Sequence, residues 1–485
     1  MTGVRVVNII HPSGELYRTF CRFAGEHKEG SFFQSAAFID LIDRWPEADR
    51  VLLLAVREGA MKDPGARYTP FDQNRTGIPS KKPLSTHAQD DKSNSDSQQD
   101  RKHSPAAPMS ASAKKVSNQN VPSSAKAHQG RQEVKSSDLT TVVDPSQIAG
   151  SLLAVIIQEK PYGLWCIQPF KQLYRNLSAR TIVYGGPLLA PGTRLRQEQT
   201  LVALLETLNK KVKHRSLFTQ FRNFFDFDDM IPAFKESGYQ KRDRLNLLLN
   251  TTSQEAAWNN LTPNRRRQVR QSIGNGATII ANPSEQQVDS FYEILADLYH
   301  RRIKKPLPGR DFFHALANNN HLQTDCHVVT DKLNGTNAGA EEERTKNGVA
   351  EKSSRDAGGG SMVLLVGYEG KIVGGVACAW LPSQTMHEWY ACGLDREYKD
   401  KKVYPSVLAT WAAIKTAANM NIPRFDFMGM GKPGIPYGVR DFKKEFGGKW
   451  VNHGRFSRIN NRLLYFLAEI GYNLLFFFQK KPKKT

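Results

Sequence analysis

From Met61 to about Gln147 this chain almost abandons large apolar side chains, and Ser, Gln, Asn, Asp, Lys and Pro take their place. A stretch of that kind cannot bury enough surface to offset the entropy of ordering it, so it is expected to be disordered. Its flanks read quite differently. Val51-Leu52-Leu53-Leu54-Ala55-Val56 precedes it and Leu152-Leu153-Ala154-Val155-Ile156-Ile157 follows it, two short apolar runs of strand type. The simplest topology is a β-hairpin whose turn has been replaced by a long loop, which is tolerable because closure entropy grows only slowly with length.

A second, smaller insertion runs from about Lys332 to Gly360, between the strand-like Cys326–Val329 and Met362–Val366. Without the two insertions the 485 residues shrink to about 369, a natural size for two α/β domains. The low apolar fraction, 39%, then belongs largely to the insertions. Charge points outward from the insertions. The chain carries a net +21, but residues 61–147 hold 13 Lys/Arg against 9 Asp/Glu, whereas Lys401–Thr485 hold 16 against 4. An excess of positive charge on the folded part implies an anionic partner: nucleic acid, an acidic membrane surface or a phosphorylated substrate.

Five cysteines, Cys21, Cys166, Cys326, Cys378 and Cys392, stand far apart with no C-x-x-C pair, which disfavours a disulfide framework and a zinc ribbon. No metal site is expected. The N-terminus lacks a basic segment followed by an apolar one, and no window reaches the length of a membrane span, so the expected location is cytosolic.

Periodicity predicts helices over Ser35–Arg44, Leu195–Val212, Thr262–Ser272, Glu285–Arg302 and Pro405–Met420. Strands are predicted at Leu217–Phe224, Arg242–Leu249, Ala277–Ile280, Ile372–Trp380, Glu388–Cys392 and Arg424–Phe427. Glu369-Gly370 marks a tight turn between Met362–Tyr368 and the next strand, so antiparallel pairing and a mixed α/β sheet are preferred to a doubly wound parallel one. No internal repeat is visible in the sequence.

Three segments carry candidate chemistry. Thr262-Pro263 opens a helix on which Arg266, Arg267 and Arg270 crowd one side, a fork that suits phosphate and equally suits a solvated face. His300-Arg301-Arg302-Ile303-Lys304-Lys305 ends a helix with more positive charge than its dipole requires. Phe425–Trp450 holds Asp426 at a strand end, a loop with Gly429, Gly431, Gly434 and Gly438, and then Asp441-Phe442-Lys443-Lys444-Glu445-Phe446-Gly447-Gly448. Lys443 there can face a developing oxyanion.

This last segment resembles the closing motif of the FemABX peptidyltransferases, a strand-end Asp, a Gly/Pro loop and an F-K-x-x-F-G-G element, through Asp426, Tyr437, Phe442, Lys443, Phe446, Gly447 and Gly448. Other pieces follow in the family's order: Ser31-Phe32-Phe33-Gln34-Ser35, Tyr184-Gly185-Gly186-Pro187, Leu245–Asn264 with the arginine helix, and Trp389-Tyr390-Ala391-Cys392-Gly393. The resemblance implies two tandem GNAT-like acyltransferase domains with mixed sheets, and transfer of an amino acid from aminoacyl-tRNA to a peptidoglycan or other cell-envelope precursor. The first domain is expected over 1–60 and 148–230, split by the insertion 61–147. The second is expected over 231–331 and 361–460, split by 332–360, with a basic amphipathic helix and tail over 461–485.

On this reading Lys443 stabilises the oxyanion or leaving group and Asp426 orients or deprotonates the acceptor amine. Arg266, Arg267, Arg270, Tyr437, Phe442, Trp389 and Tyr390 contact substrate. No resident cofactor is expected; the acyl donor is aminoacyl-tRNA, with acyl-CoA as the alternative and a non-catalytic RNA- or membrane-binding protein as a third possibility. Arg396–Pro405, where CoA-using relatives of this fold carry a Gly-rich pyrophosphate turn, contains no glycine, which disfavours CoA. Ile42 stands where the family has a lysine for the precursor's phosphates. Leu463–Phe478 is too short to span a membrane, but with Lys480, Lys481, Lys483 and Lys484 it suits a peripheral position at the inner membrane face or, equally, packing on the domain.

Overall fold

The computed structural model describes residues 3–11, 14–57, 143–159, 170–303, 307–319 and 359–479. The expected insertions fall outside these residues, apart from 143–147 and 359–360. The apolar runs that flank the first insertion form β2 (Ala48–Arg57) and β3 (Ile148–Ile157), paired antiparallel from Ala48↔Ile157 to Val56↔Ile148. The inferred hairpin is therefore present.

The first sheet begins with β1 (Val4–Ile9), β2 and β3, and continues with β4 (Arg180–Tyr184) and β6 (Phe218–Arg222), while β5 (Leu188–Leu189) pairs with β3. The second contains β9 (Thr278–Ile280), β10 (Gly360–Tyr368), β11 (Lys371–Leu381), β12 (Thr385–Gly393) and β13 (Arg424–Gly429). The turn between β10 and β11 has positive φ at both Glu369 (48°) and Gly370 (72°), the backbone that a two-residue hairpin requires. Each sheet has one parallel pair, β4 with β6 and β12 with β13, and is otherwise antiparallel.

Four remaining strands exchange. β7 (Gln240–Arg242) ends the first sheet, and the chain crosses to place β8 (Asn246–Asn250) between β13 and β14 (Lys449–Val451) of the second. After β14 it crosses back to place β15 (Arg455–Ile459) between β6 and β7 of the first. The spatial orders β1-β2-β3-β4-β6-β15-β7 and β9-β10-β11-β12-β13-β8-β14 match strand for strand. The chain is an internal duplication that its sequence conceals. The division expected at 230/231 shifts accordingly: hydrogen bonding carries the first sheet to Arg242 and returns Arg455–Ile459 to it.

Helices repeat in the same order. α1 (Glu15–Glu26), α2 (Ala36–Asp43), α4 (Arg194–Val212) and α5 (Ile231–Glu236) belong to the first unit, with α3 (Phe170–Ser178) lying between β3 and β4. The second has α6 (Gln254–Asn260), α7 (Pro263–Gly274), α8 (Glu285–Leu298), α9 (Arg310–Asn318), α10 (Pro405–Asn419) and α11 (Gly438–Lys444). α12 (Arg462–Gln479) follows β15. Thr262 caps its helix as the sequence suggested, accepting from Arg265 N–H; Ser35 accepts from Phe38 N–H, and Ser284 forms a reciprocal box with Gln287.

Three cores result. One packs the first sheet on α4 and α5, a second packs the other sheet on α6, α7 and α10, and a third lies between the units. The third draws Phe32, Phe33, Phe38 and Leu52 from the first unit and Phe291, Phe312, Val363 and Leu365 from the second. This is a mixed α/β fold of two tandem units with matching strand order, joined by a shared core and by exchanged strands.

Candidate active site

β12 and β13 pair in parallel only at Thr385–Arg424, Met386–Phe425 and His387–Asp426, although they continue to Gly393 and Gly429. Beyond that point side chains hold the backbone groups that a continuing ladder would use. Met428, at φ 59°, donates its N–H to Asp426 Oδ1 at 2.7 Å, and Lys443 Nζ from α11 donates to the carbonyl of Phe427. A wedge opens between the strands.

Ionisable groups converge where it opens. Asp426 is 1% exposed, accepts from Asn246 Nδ2 (3.3 and 3.5 Å), and lies 3.5 Å from His387 Nδ1. His387 is equally buried, against the rings of Phe33 and Phe224, and neither of its ring nitrogens has a well-formed hydrogen bond. Next to it Glu388 accepts from Thr410 Oγ1 at 2.8 Å and faces Lys443 Nζ at 3.6 Å. Burial holds the Glu388 carboxyl above the usual range, and Lys443 offsets part of that. The sequence had singled out Asp426 and Lys443; the fold brings both to this point.

A small cleft opens over Asp426 and His387, lined also by Glu29, Gly30, Phe224 and Arg424. His27 fixes its rim, accepting the N–H of Glu29 at Nδ1 (3.1 Å) and donating from Nε2 to the carbonyl of Leu189 (2.9 Å). Gln34 of the opening motif donates to the carbonyls of Tyr184 (2.8 Å) and Gly186 (3.3 Å), so two of the motifs in the resemblance touch each other.

The Gly-rich loop between β13 and α11 is held by Arg440, which donates to the carbonyls of Met430 (3.1 Å), Ile435 (2.9 Å) and Lys432. Tyr437, at the end of that loop, is 41% exposed. The F-G-G element is dictated by contact: Gly447 has φ 80°, and a Cβ there would lie 2.6 Å from the carbonyl oxygen of Asn260.

The other expected residues lie elsewhere. Phe442 turns inward under the Arg265 guanidinium, 4.6 Å from its ring centroid. Trp389 and Tyr390 sit in the aromatic seam between the units, stacked on each other and packed edge-on against Phe312. α7 packs on α10, on the opposite side of the second sheet from the cleft; there Arg267 bonds Asn264, Arg270 covers Trp258, and Arg266 is half-buried. Arg301 pairs with Asp297 at 2.6 Å, and Lys304 and Lys305 lie outside the described residues. Ile42 is buried in the shared core.

At the N-terminus of α10, where the resemblance would place a CoA pyrophosphate, two amides are already engaged. Ser406 N–H donates to Asp395 Oδ1 at 3.1 Å and Tyr404 N–H to Ser272 Oγ at 2.9 Å. A carboxylate thus occupies the anion position. Lys401, in the same glycine-free segment, is paired with Glu369 at 2.8 Å.

Sequence reasoning missed His387, Glu388 and Arg440. The first two directly precede the quoted Trp389 in a strand, so the motif was found one step too late. Arg440 carried no signal, because its role depends on how the loop folds back.

No family model matches the chain, and no curated protein matches it. Solved structures that it resembles include "FemX" (13% identity, 66% of this chain and 87% of that chain, TM-score 0.40). The L-PGS of Bacillus licheniformis matches at 10% identity over 66% and 85%, TM-score 0.36. A tandem GNAT protein from the clavulanic acid biosynthesis pathway, solved without AcCoA, covers 94% of this chain and 99% of its own at 7% identity and TM-score 0.42. At such identities and scores the activity has to be argued from the residues.

Proposed function

We propose that the chain is an N-acyltransferase that moves an amino acid from aminoacyl-tRNA to an amine of a peptidoglycan or other cell-envelope precursor. The observation that carries this reading is the convergence of Asp426, His387, Glu388 and Lys443 where β12 and β13 part. The acceptor nitrogen attacks the ester carbonyl, a C–N bond forms, the C–O bond to the ribose breaks, and the amine loses a proton.

Asp426, with His387 beside it, orients the amine and takes that proton. Lys443, held at the wedge by the Phe427 carbonyl and by Glu388, supplies a donor to the oxyanion or the departing ribose oxygen. Tyr437 contacts the acceptor. Arg266, Arg267 and Arg270 bind substrate phosphates from the outer face of α7.

Asp395 supports a donor other than CoA, since its carboxylate stands where a pyrophosphate would. α12 supports a lipid-linked acceptor and a peripheral position at the inner membrane face: Leu463, Phe466, Leu467 and Ile470, on one helical side, are 68%, 58%, 46% and 40% exposed. None of the described helices is long and apolar enough to cross a membrane.

The test is an assay with charged bulk tRNA and lipid-linked peptidoglycan precursor, the product read by mass. A gain of one aminoacyl residue is expected. A gain from acetyl-CoA instead would replace the donor, and no gain from either would make the chain a binding protein.

A further inference from the structure

Arg222 and Arg455 are register partners on the adjacent strands β6 and β15. Their sequence neighbours Phe221 and Phe456 are buried against α4 and α5, so both arginines project from the opposite face of the sheet. They point to the second unit: a Cβ at Gly429 would lie 3.2 Å from Arg455 Nη2. Arg244, on the segment crossing from β7 to β8, adds a third positive charge that is felt at Arg455. Like charges directly opposite on paired strands repel, and these have only neutral acceptors. Arg222 bonds Gln220 and Tyr184 Oη, Arg455 bonds Gln220 (3.3 Å), and Arg244 bonds the carbonyl of Asp243.

Among the described residues none of the three pairs with a carboxylate. Burial pushes the Arg455 guanidinium down to about 9, with Arg222 and Arg244 adding to the effect. Half-buried cations without counter-charge are costly to keep together. Tyr184, bonded to Arg222, and the exposed Tyr437 of the Gly-rich loop both act electrostatically on Arg455, and Tyr437 also on Arg244.

We propose that Arg222, Arg244 and Arg455, with Tyr437, form a binding site for a diphosphate group where the exchanged strands cross between the two units. Guanidinium forks match phosphate oxygens two at a time, and three of them from separate segments offer more donors than one phosphate accepts side by side. Gly429 keeps the approach open from the second unit. The site is distinct from the α7 arginines, which lie beyond the second sheet. It deepens the proposed function, resting on that reading only for which substrate carries the diphosphate; the binding itself is measurable without any transfer.

The experiment is calorimetric titration of the full chain with inorganic pyrophosphate, comparing Arg455→Gln, Arg222→Gln and a charge-matched control, Lys210→Gln, on the exposed face of α4. Each arginine variant is expected to lose at least about tenfold in affinity, the scale of one charge-assisted hydrogen bond, and the control to bind like the native chain. In anion-free buffer Arg455→Gln should melt no lower than the native protein, and pyrophosphate should raise the native Tm but not that of the variant. Competition by a uridine diphosphate sugar or by vesicles containing a polyprenyl diphosphate then identifies a soluble or a lipid-borne source. Unchanged affinity in both arginine variants, equal loss in the control, or displacement of pyrophosphate by tRNA alone overturns the proposal.

Discussion

At the scale of single residues, Lys443 is the sharpest test of the proposed chemistry. Lys443→Ala is expected to lower kcat by about 10²–10³-fold, the cost of losing one oxyanion donor, with acceptor KM nearly unchanged. The fold should survive, because burial already favours a neutral Glu388 and loss of its cation leaves a carboxylic acid rather than a bare charge. Full activity in this variant would remove Lys443 from the mechanism. His27 makes a separate prediction. Burial lowers its proton affinity below the ordinary 6.5, and its Nδ1 is occupied by the Glu29 N–H. Between its native and ordinary values the unfolded chain therefore binds the proton and the native chain does not. Stability falls as pH drops through about 6.5, by at most about 1.4 kcal/mol per pH unit from this group. Calorimetric Tm between pH 7 and 5 should decline less steeply in His27→Gln, and equal slopes would reject the account. His453, lowered by burial in the same way, contributes in the same direction. Lys443 and Asp426 were legible because they sit in a contiguous motif. His387 and Arg455 were not, since each acquires its meaning from a register partner, Asp426 and Arg222, far away in sequence.

At the scale of elements, the long helices were read almost to the residue, because caps and periodicity are local. Thr262-Pro263 opens α7 as expected, and α10 starts at Pro405. β1 and α1 were missed, and the single strand expected at Arg242–Leu249 is two, the end of β7 and most of β8, which lie in different sheets. The Gly-rich loop yields a prediction at this scale. Arg440→Ala removes three carbonyl contacts, so amide exchange across 430–437 should quicken and acceptor KM should rise roughly tenfold, while Arg440→Lys, lacking the planar fork, should rescue little. A KM change without faster exchange would mean that Arg440 touches substrate itself. α12 yields another. Deleting 462–485 should reduce partition onto phosphatidylglycerol vesicles more than about tenfold while sparing transfer to a soluble acceptor. Unchanged partition would make α12 a packed helix, and it does already lean on α3.

At the scale of the whole molecule, the two halves are laced together by exchanged strands. β15 lies between β6 and β7, and its Phe456 ring stacks on Phe234 with centroids 3.9 Å apart. Phe456→Ala is expected to cost about 3–5 kcal/mol, although the residue lies more than two hundred positions from the sheet that it completes. Five of the seven tryptophans (258, 380, 389, 411 and 450) belong to the second unit. Its unfolding can thus be followed by fluorescence and that of the whole chain by circular dichroism. The two transitions should coincide in the native protein and shift together in Phe456→Ala; separate transitions would show that the units fold independently.

By itself the sequence determined the hairpin across the first insertion, the mixed α/β class and the motif that brings Asp426 and Lys443 to one place. These follow from composition, alternation and turn chemistry, which act over a few residues. Only the tertiary structure decided the duplication, the reciprocal exchange of β8 and β15, the early parting of β12 and β13, and the meeting of Arg222, Arg244 and Arg455. Each of these is a pairing between distant segments. Local propensity carries no register, so such pairings are set by which faces must be buried together.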